Sequence, residues 1–458
     1  MEHEADHSRG GLAEVLGMAA PIVFGSLSFV LMGFVDAAMV SWLGEDPVAA
    51  VPVAGLWVFT FSTFVLGVMG CVATFVSQSL GRGEREDCAR YAWQGIYLAL
   101  ASGLIGLILW PFSGTIFDLM PHSDEVRHLE TTYFQVRMAG FVFISWQAAL
   151  TSFFQAVNRP LVPTFVAWFA VVLNVPLDYL LIFGKFGFPR WEIRGAAAAT
   201  VIALAVQVAL MQAVFLSRRL DSEFGTRRAN RLDMPRIREL LRIGWPGGLA
   251  FFADVFNWAI FTSIVVGMFG AAQLAAHNIA LQFMHISFMP AVGLNHAVTP
   301  IVGQWIGRGS VATAKARTYT ALKLAIPYMV TLGVIFAVFG SFLIRIFFRQ
   351  DPGVIRLGHR LLILAAIFQG FDAVNIITMG ALRGAGDTRF MMRALLIAGY
   401  GFFLPIAWSL AVFCHLEAVG AWIGATIYVI GLSGVLFWRF HWEGWRHITI
   451  FERDRIDS

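Results

Sequence analysis

Residues 218–242 read RRLDSEFGTRRANRLDMPRIRELLR, the longest charged run in a chain that is otherwise mostly apolar. The half of the chain before this run resembles the half after it. "VSQSLGRG" (Val76 to Gly83) returns as "VGQWIGRG" (Val302 to Gly309), so that Gln78 corresponds to Gln304 at a shift of 226 residues (304 − 78). At the same shift Leu43-Gly44 meets Phe269-Gly270 and Ala49-Ala50 meets Ala275-Ala276. "RGAAAAT" (Arg194 to Thr200) is echoed by "VGAWIGAT" (Val419 to Thr426) at a similar shift. Several short matches in one register indicate two homologous halves joined by a basic linker, an organisation common among membrane transporters.

The composition fits that reading. Of 458 residues, 58% are hydrophobic and 14% charged, and the mean hydropathy is +0.70. A soluble protein of this size carries far more charge, so the chain is expected to cross a membrane many times. The net charge of +4 and pI near 9.1 do not signal nucleic acid, because the arginines sit in short loops between apolar runs and so carry orientation information. The three cysteines, Cys71, Cys88 and Cys414, form neither a disulfide framework nor a zinc spacing. The first apolar run lacks a cleavage site and is expected to remain as a span.

A span needs about 20 mostly apolar residues. On that criterion the sequence predicts an all-α polytopic membrane protein of twelve transmembrane helices in two six-helix lobes. The predicted spans are 13–42, 48–80, 90–112, 129–157, 161–184, 195–217, 240–268, 272–306, 316–346, 354–382, 389–414 and 418–440. The expected domains are an N-terminal tail (1–12), an N-lobe (13–217), a basic linker (218–239), a C-lobe (240–440) and a C-terminal tail (441–458). Arg9, Arg82, Arg85, Arg90, Arg159, the linker arginines, Arg308, Lys315, Arg317, Arg383, Arg389, Arg446, Arg453 and Arg455 fall on one side. Two loops on the other side also carry charge: Lys185, Arg190 and Arg194 in one, and Arg345, Arg349, Arg356 and Arg360 in the other. The majority places the linker and both termini in the cytoplasm.

Charges inside the spans point to chemistry. An Asp at the centre of a membrane helix costs about 2.5–3.5 kcal/mol on insertion scales, so it marks a functional site by default. Four are well inside, two per half: Asp36, Asp178, Asp254 and Asp372. Asn174 precedes Asp178 by one helical turn, and Asn257 and Asn375 come three residues after Asp254 and Asp372, so each pair can share a face. Pro21 and Pro246 stand at similar places in the two halves and read as helix starts or kinks. His277, His285 and His296 could carry protons, but hydrogen-bonded core histidines are the simpler reading. The His3-Glu4-Ala5-Asp6-His7 run has the formal H-E-x-x-H spacing of a zinc site but lies at the chain end, with no third ligand in view. There is no G-x-x-x-x-G-K-[ST] run, so an ion gradient is the expected energy source.

Taken together, the two six-span halves, the Pro21-to-Asp36 stretch, "LGEDPVAA", "VSQSLGRG", "LNVPLD", "RGAAAAT" and "ALRGAGDT" (Ala381 to Thr388) resemble the multidrug and toxic compound extrusion (MATE) family, with features of its NorM-type and DinF-type branches. The similarity runs from about residue 12 to residue 440. The resemblance implies a secondary active multidrug efflux antiporter rather than an enzyme. It would export small cationic amphipathic drugs in exchange for Na+ or H+ by alternating access, with no cofactor, no nucleic-acid partner, membrane lipid around it and a monomeric state. It implies an inner-membrane location. Asp36, Asn174, Asp178 and Thr200 resemble the N-lobe cation site, where Na+ could bind. Asp254 and Asp372, with Asn257 and Asn375 beside them, resemble a C-lobe acidic site, although the NorM-type branch commonly has Glu where this chain has Asp254. "AVNRPLVPT" (Ala156 to Thr164) stands in the first half where the second has "ALRGAGDT", an eroded turn motif. The rivals are a lipid-linked saccharide flippase, disfavoured because the arginines sit at span ends, and an intramembrane hydrolase, disfavoured by the repeat.

Overall fold

The structure, a computed structural model, describes residues 2–118, 120, 122–347 and 351–452, with side chains from residue 11 onward and that of residue 347 excepted. Among them every regular element is helical. The elements are α1 (Glu2–Val40), α2 (Glu45–Gly81), α3 (Arg85–Leu109), α4 (Ser113–Asp118), α5 (Asp124–Ala139), α6 (Phe141–Ala156), α7 (Leu161–Phe183), α8 (Glu192–Phe215), α9 (Arg218–Phe224), α10 (Met234–Ile260), α11 (Ala271–Gly307), α12 (Val311–Phe347), α13 (Pro352–Ala385), α14 (Thr388–Leu396), α15 (Leu404–Val412) and α16 (Glu417–His441). Among the described residues ten helices are long and apolar enough to cross a membrane. The pair α5–α6 and the long helix α11 supply the remaining two of the twelve expected spans.

These segments stay helical because of their setting. A backbone in hydrocarbon must satisfy its own hydrogen bonds, which a helix does. Their outward faces carry many exposed large apolar side chains, with Phe34 70% exposed and Val172 68%, as a hydrocarbon surround requires. The inward faces are rich in small residues that let helices approach closely, such as Ala276, Ala280, Ala365, Ala421 and Ala425.

Several predicted spans differ in detail. The 129–157 span is broken at Gly140 into α5 and α6. A Cβ on Gly140 would stand 2.6 Å from Val201 of α8, so only glycine admits that close crossing. The spans 240–268 and 389–414 each contain a wide π-helical turn, Phe261–Val266 and Ile397–Phe403, a feature that apolar patterning does not encode. The short helix α4 lies beyond the predicted end of the third span.

The repeat seen in the sequence extends to the backbone. α2 and α11 are both 37 residues long and start 226 residues apart (271 − 45). Gly44 and Gly270 precede them with positive φ, and Gly83 and Gly309 come after them in the same way. The turn that looked eroded keeps its conformation: Asn158 takes φ +59 in the first half and Gly386 φ +84 in the second. Asn is among the few non-glycine residues that enter this region at small cost.

By contacts the chain divides into two compact units, residues 24–248 and residues 1–23 with 249–458. In the first unit the linker is a packed segment. Trp93 donates to the Thr226 carbonyl at 2.7 Å, Gln94 to the Arg231 carbonyl at 3.1 Å, and Tyr97 to the Asn230 carbonyl, all from α3. Arg236 reaches Asp87 at 3.0 Å, and the buried Glu239 accepts from the Tyr91 hydroxyl. The second unit has a counterpart, in which Glu14 accepts from Arg317 at 2.6 Å and from Trp305 at 3.0 Å. Its C-terminal segment is packed too, with Trp445, Ile450 and Phe451 buried.

Candidate functional site

The first unit gathers Asp36 from α1, Asn174 and Asp178 from α7, and Thr200 from α8. All four are buried. Asn174 Nδ2 donates to Asp36 Oδ1 and to Asp178 Oδ2, both at 2.6 Å. Thr200 Oγ1 donates to Asp36 Oδ2 at 3.2 Å and also reaches the Ala196 carbonyl at 3.0 Å. The one-turn spacing of Asn174 and Asp178 is what lets a single amide serve both carboxylates, and Pro176 between them does not interrupt α7.

The oxygens Asn174 Oδ1 and Asp178 Oδ1 are buried and have no partner among the described residues. A buried acceptor without a donor costs roughly 1–3 kcal/mol. Two carboxylates, an amide oxygen and a hydroxyl form a hard-oxygen set of the kind that binds small hard cations, and two adjacent buried carboxylates call for a proton or cation to share their site. Among the described residues no group of three or more His, Cys, Asp or Glu side chains is arranged to hold a metal. The formal H-E-x-x-H at His3 to His7 lies outside the described side chains.

One participant was overlooked in the sequence. Arg137, near the end of α5, lies within electrostatic reach of Asp36 and stacks over the buried Tyr133 ring at 6.0 Å. Its Nε is buried without a partner. This amends the expectation that arginines sit only at span ends: Arg137 lies inside the predicted 129–157 span, beside the helix break at Gly140. An arginine in the middle of an apolar run was the available signal.

The second unit is less complete. Tyr428 on α16 donates to Asp254 Oδ1 at a long 3.4 Å. Asn375 and Asp254 both act electrostatically on Asp372. Asn257 does not join Asp254 as the shared face suggested. It is fully buried with both polar atoms unpartnered, and it fills the space over Gly399 in the π-helical turn, where a Cβ would meet its Nδ2 at 2.0 Å. Tyr428 is thus a second residue that the sequence reading passed over.

Of the three histidines singled out in the sequence, His277 is hydrogen-bonded in the core. His277 Nδ1 accepts from Trp422 Nε1 at 3.0 Å, so its proton is on Nε2, which donates to Thr262 Oγ1 at 2.9 Å. Both nitrogens are engaged in holding the Phe261–Val266 turn, which is the core role expected.

A helical membrane protein of twelve spans, built from two repeats and carrying carboxylates inside the spans of each half, belongs to the class of secondary transporters. The comparisons fix the family. The MatE family model matches residues 21–180 and 246–409, and the chain belongs to that family. A protein of Mesorhizobium japonicum named "Probable multidrug resistance protein NorM" is 31% identical over 94% of this chain and 94% of its own length. A Thermotoga maritima protein of the same name is 28% identical over 97% of this chain and 95% of its own. The fold matches a structure described as the outward-facing conformation of a multidrug resistance MATE family transporter, with TM-score 0.87, 18% identity and coverage of 96% and 97%. It also matches the eukaryotic MATE transporter AtDTX14, with TM-score 0.85, 18% identity and coverage of 98% and 99%. The chain is therefore a multi-pass membrane transporter and not an enzyme.

Proposed function

We propose that this transporter is a multidrug efflux antiporter that exports cationic, amphipathic compounds from the cytoplasm in exchange for Na+ or H+. The names of the relatives support multidrug export. The observation that carries the coupling is the buried Asp36–Asn174–Asp178–Thr200 cluster with its two unpartnered oxygens. A proton or Na+ arriving there completes the coordination of those oxygens and offsets negative charge. Occupancy then changes the electrostatic attraction available to a cationic drug, so drug and coupling ion compete. Exchange results when the two lobes alternate between outward-open and inward-open forms only with one of them bound. Asp254 and Asp372 provide a second acidic region toward which the cationic drug is drawn. The proposed orientation has the linker and both termini in the cytoplasm and the chain in the inner membrane, acting as a monomer.

Which ion couples is decided by transport in liposomes. Purified protein is reconstituted, and ethidium movement is monitored with a Na+ gradient or a pH gradient imposed separately. Movement driven by one gradient and lost on its collapse is the expected result. Ethidium movement that continues with neither gradient would overturn the antiport reading. The flippase alternative calls for several basic groups to hold a pyrophosphate. The first-unit site holds two carboxylates against one arginine, Arg137, which acts on Asp36, and that balance favours a cation instead.

A further inference from the structure

The second unit holds a cavity of about 810 Å3 between the last turns of α12 and the first turns of α13. Its volume is within the usual range for a bound small molecule, about 300–1,000 Å3. Ser341, Phe342, Arg345 and Ile346 line it from α12, and Pro352, Ile355 and Arg356 from α13. The spacing explains the grouping: residues one turn apart on each helix face the same way, so each helix contributes one guanidinium above an apolar wall.

The charge of this cavity is positive. Arg345 and Arg356 make no ion pair or hydrogen bond among the described residues. The neighbouring Asp351 pairs with neither arginine; its Oδ1 caps α13 through the Gly353 and Val354 amides at 2.7 and 3.3 Å. The start of α13 adds the positive end of a helix dipole. The His359 ring of α13 is held against α12 by two contacts, with the Ser341 hydroxyl at 2.8 Å and the Ala337 carbonyl at 2.9 Å. The wall continues outward as apolar surface, with Phe342 65% exposed, Ile346 54% and Val338 64%.

Two unpaired arginines at the end of membrane helices, leading into exposed hydrocarbon-facing side chains, match one ligand chemistry. We propose that the α12–α13 cavity binds an anionic phospholipid, with its phosphodiester between Arg345 and Arg356 and its acyl chains along Phe342 and Ile346. Guanidinium groups pair with phosphate oxygens through planar, directional hydrogen bonds. A cationic drug is repelled here, and a free phosphate ion leaves most of the volume and all of the apolar wall unused. The site also accounts for a loop whose arginines run against the positive-inside pattern. It stands whether or not the transporter is an antiporter.

The test is native mass spectrometry of the full chain, delipidated in detergent and titrated with dioleoylphosphatidylglycerol or dioleoylphosphatidylcholine. A basic residue near a lipid headgroup contributes on the order of fivefold in affinity. Arg345→Gln with Arg356→Gln should therefore weaken phosphatidylglycerol binding about 25-fold, to the level of phosphatidylcholine. Arg345→Lys with Arg356→Lys should keep most of the preference, which also guards against a Gln pair that fails to fold. Arg360→Gln, on the same helix but outside the lining, should change nothing. Equal binding of the two lipids by the unaltered chain, an unchanged preference in the folded Gln pair, or displacement of the lipid by millimolar inorganic phosphate would each overturn the proposal.

Discussion

Replacing Asp36 by Asn tests the proposed coupling site with little change of shape. Asp36 Oδ1 accepts from Asn174 and Oδ2 from Thr200. In Asp36→Asn the amide oxygen keeps the Asn174 contact, and the new Nδ2 faces Thr200, whose hydroxyl retains the Ala196 carbonyl as an acceptor. At most one hydrogen bond is lost, worth about 0.5–1.5 kcal/mol. The charge loss is larger. A carboxylate acting on a cation at about 4 Å contributes roughly 4 kcal/mol at the effective dielectric of proteins, or about a thousandfold in affinity. Folding and coupling should therefore separate: thermal unfolding in detergent shifts by a few degrees, while gradient-driven ethidium transport in liposomes falls to background. Asp36→Ala should abolish coupling as well and cost more stability, because it removes both acceptor oxygens and leaves a cavity between Asn174 and Thr200. Full gradient-driven transport by Asp36→Asn, per folded molecule, would remove Asp36 from the coupling step.

Other parts of the structure make their own predictions. Gly399→Ala should destabilise the chain by about 1–3 kcal/mol, the usual cost of overpacking, since its Cβ meets Asn257 Nδ2 at 2.0 Å; an unaltered unfolding temperature would refute that packing. His277→Ala should cost about 1–3 kcal/mol through the stranded Trp422 indole N–H, yet leave the coupling-ion dependence of transport intact; loss of that dependence in a folded variant would restore His277 as a candidate proton carrier. Arg228→Cys, in a chain whose exposed Cys414 is replaced by Ser, should resist impermeant thiol reagents in whole cells and react in inverted vesicles; ready labelling of intact cells would reverse the orientation.

The fold was legible to the extent that its causes are local. Span length is set by apolar run length, and the repeat shows in Gly and Ala placed where backbones turn or cross. The "AVNRPLVPT" turn shows the limit of letter matching: Asn158 does what Gly386 does, because the backbone needs a left-handed residue and not a particular side chain. The break at Gly140 was not legible, since it arises from contact with Val201, a residue 61 positions on (201 − 140). The π-helical turns were hidden for the same reason, being shaped by the packing of Asn257 and His277 around them. Of the first-unit site the four proposed residues do meet, because Asp and Asn in an apolar helix have few other reasons to be there. Arg137 was not legible as part of the site, because its approach to Asp36 is made by helix packing and not by sequence spacing.

The two halves share a repeat but not an equivalent polar interior. In the first unit each candidate side chain touches another, and a single amide links both carboxylates at 2.6 Å. In the second the side chain of Asp254 has a single hydrogen bond among the described residues, at 3.4 Å from Tyr428, and Asn257 is turned toward Gly399. A longer Glu at position 254 would carry its carboxylate about one methylene further; the Asp found here stops short. A small cation binds by closing several oxygens around itself, which favours a preassembled cluster over groups that must first move together. A bulky organic cation has the opposite need, since loosely spaced carboxylates among exposed aromatic and aliphatic side chains adapt to many shapes. In the proposed antiport the asymmetry is the basis for a division of labour, with the coupling ion assigned to the compact first-unit cluster and the drug to the open second-unit carboxylates.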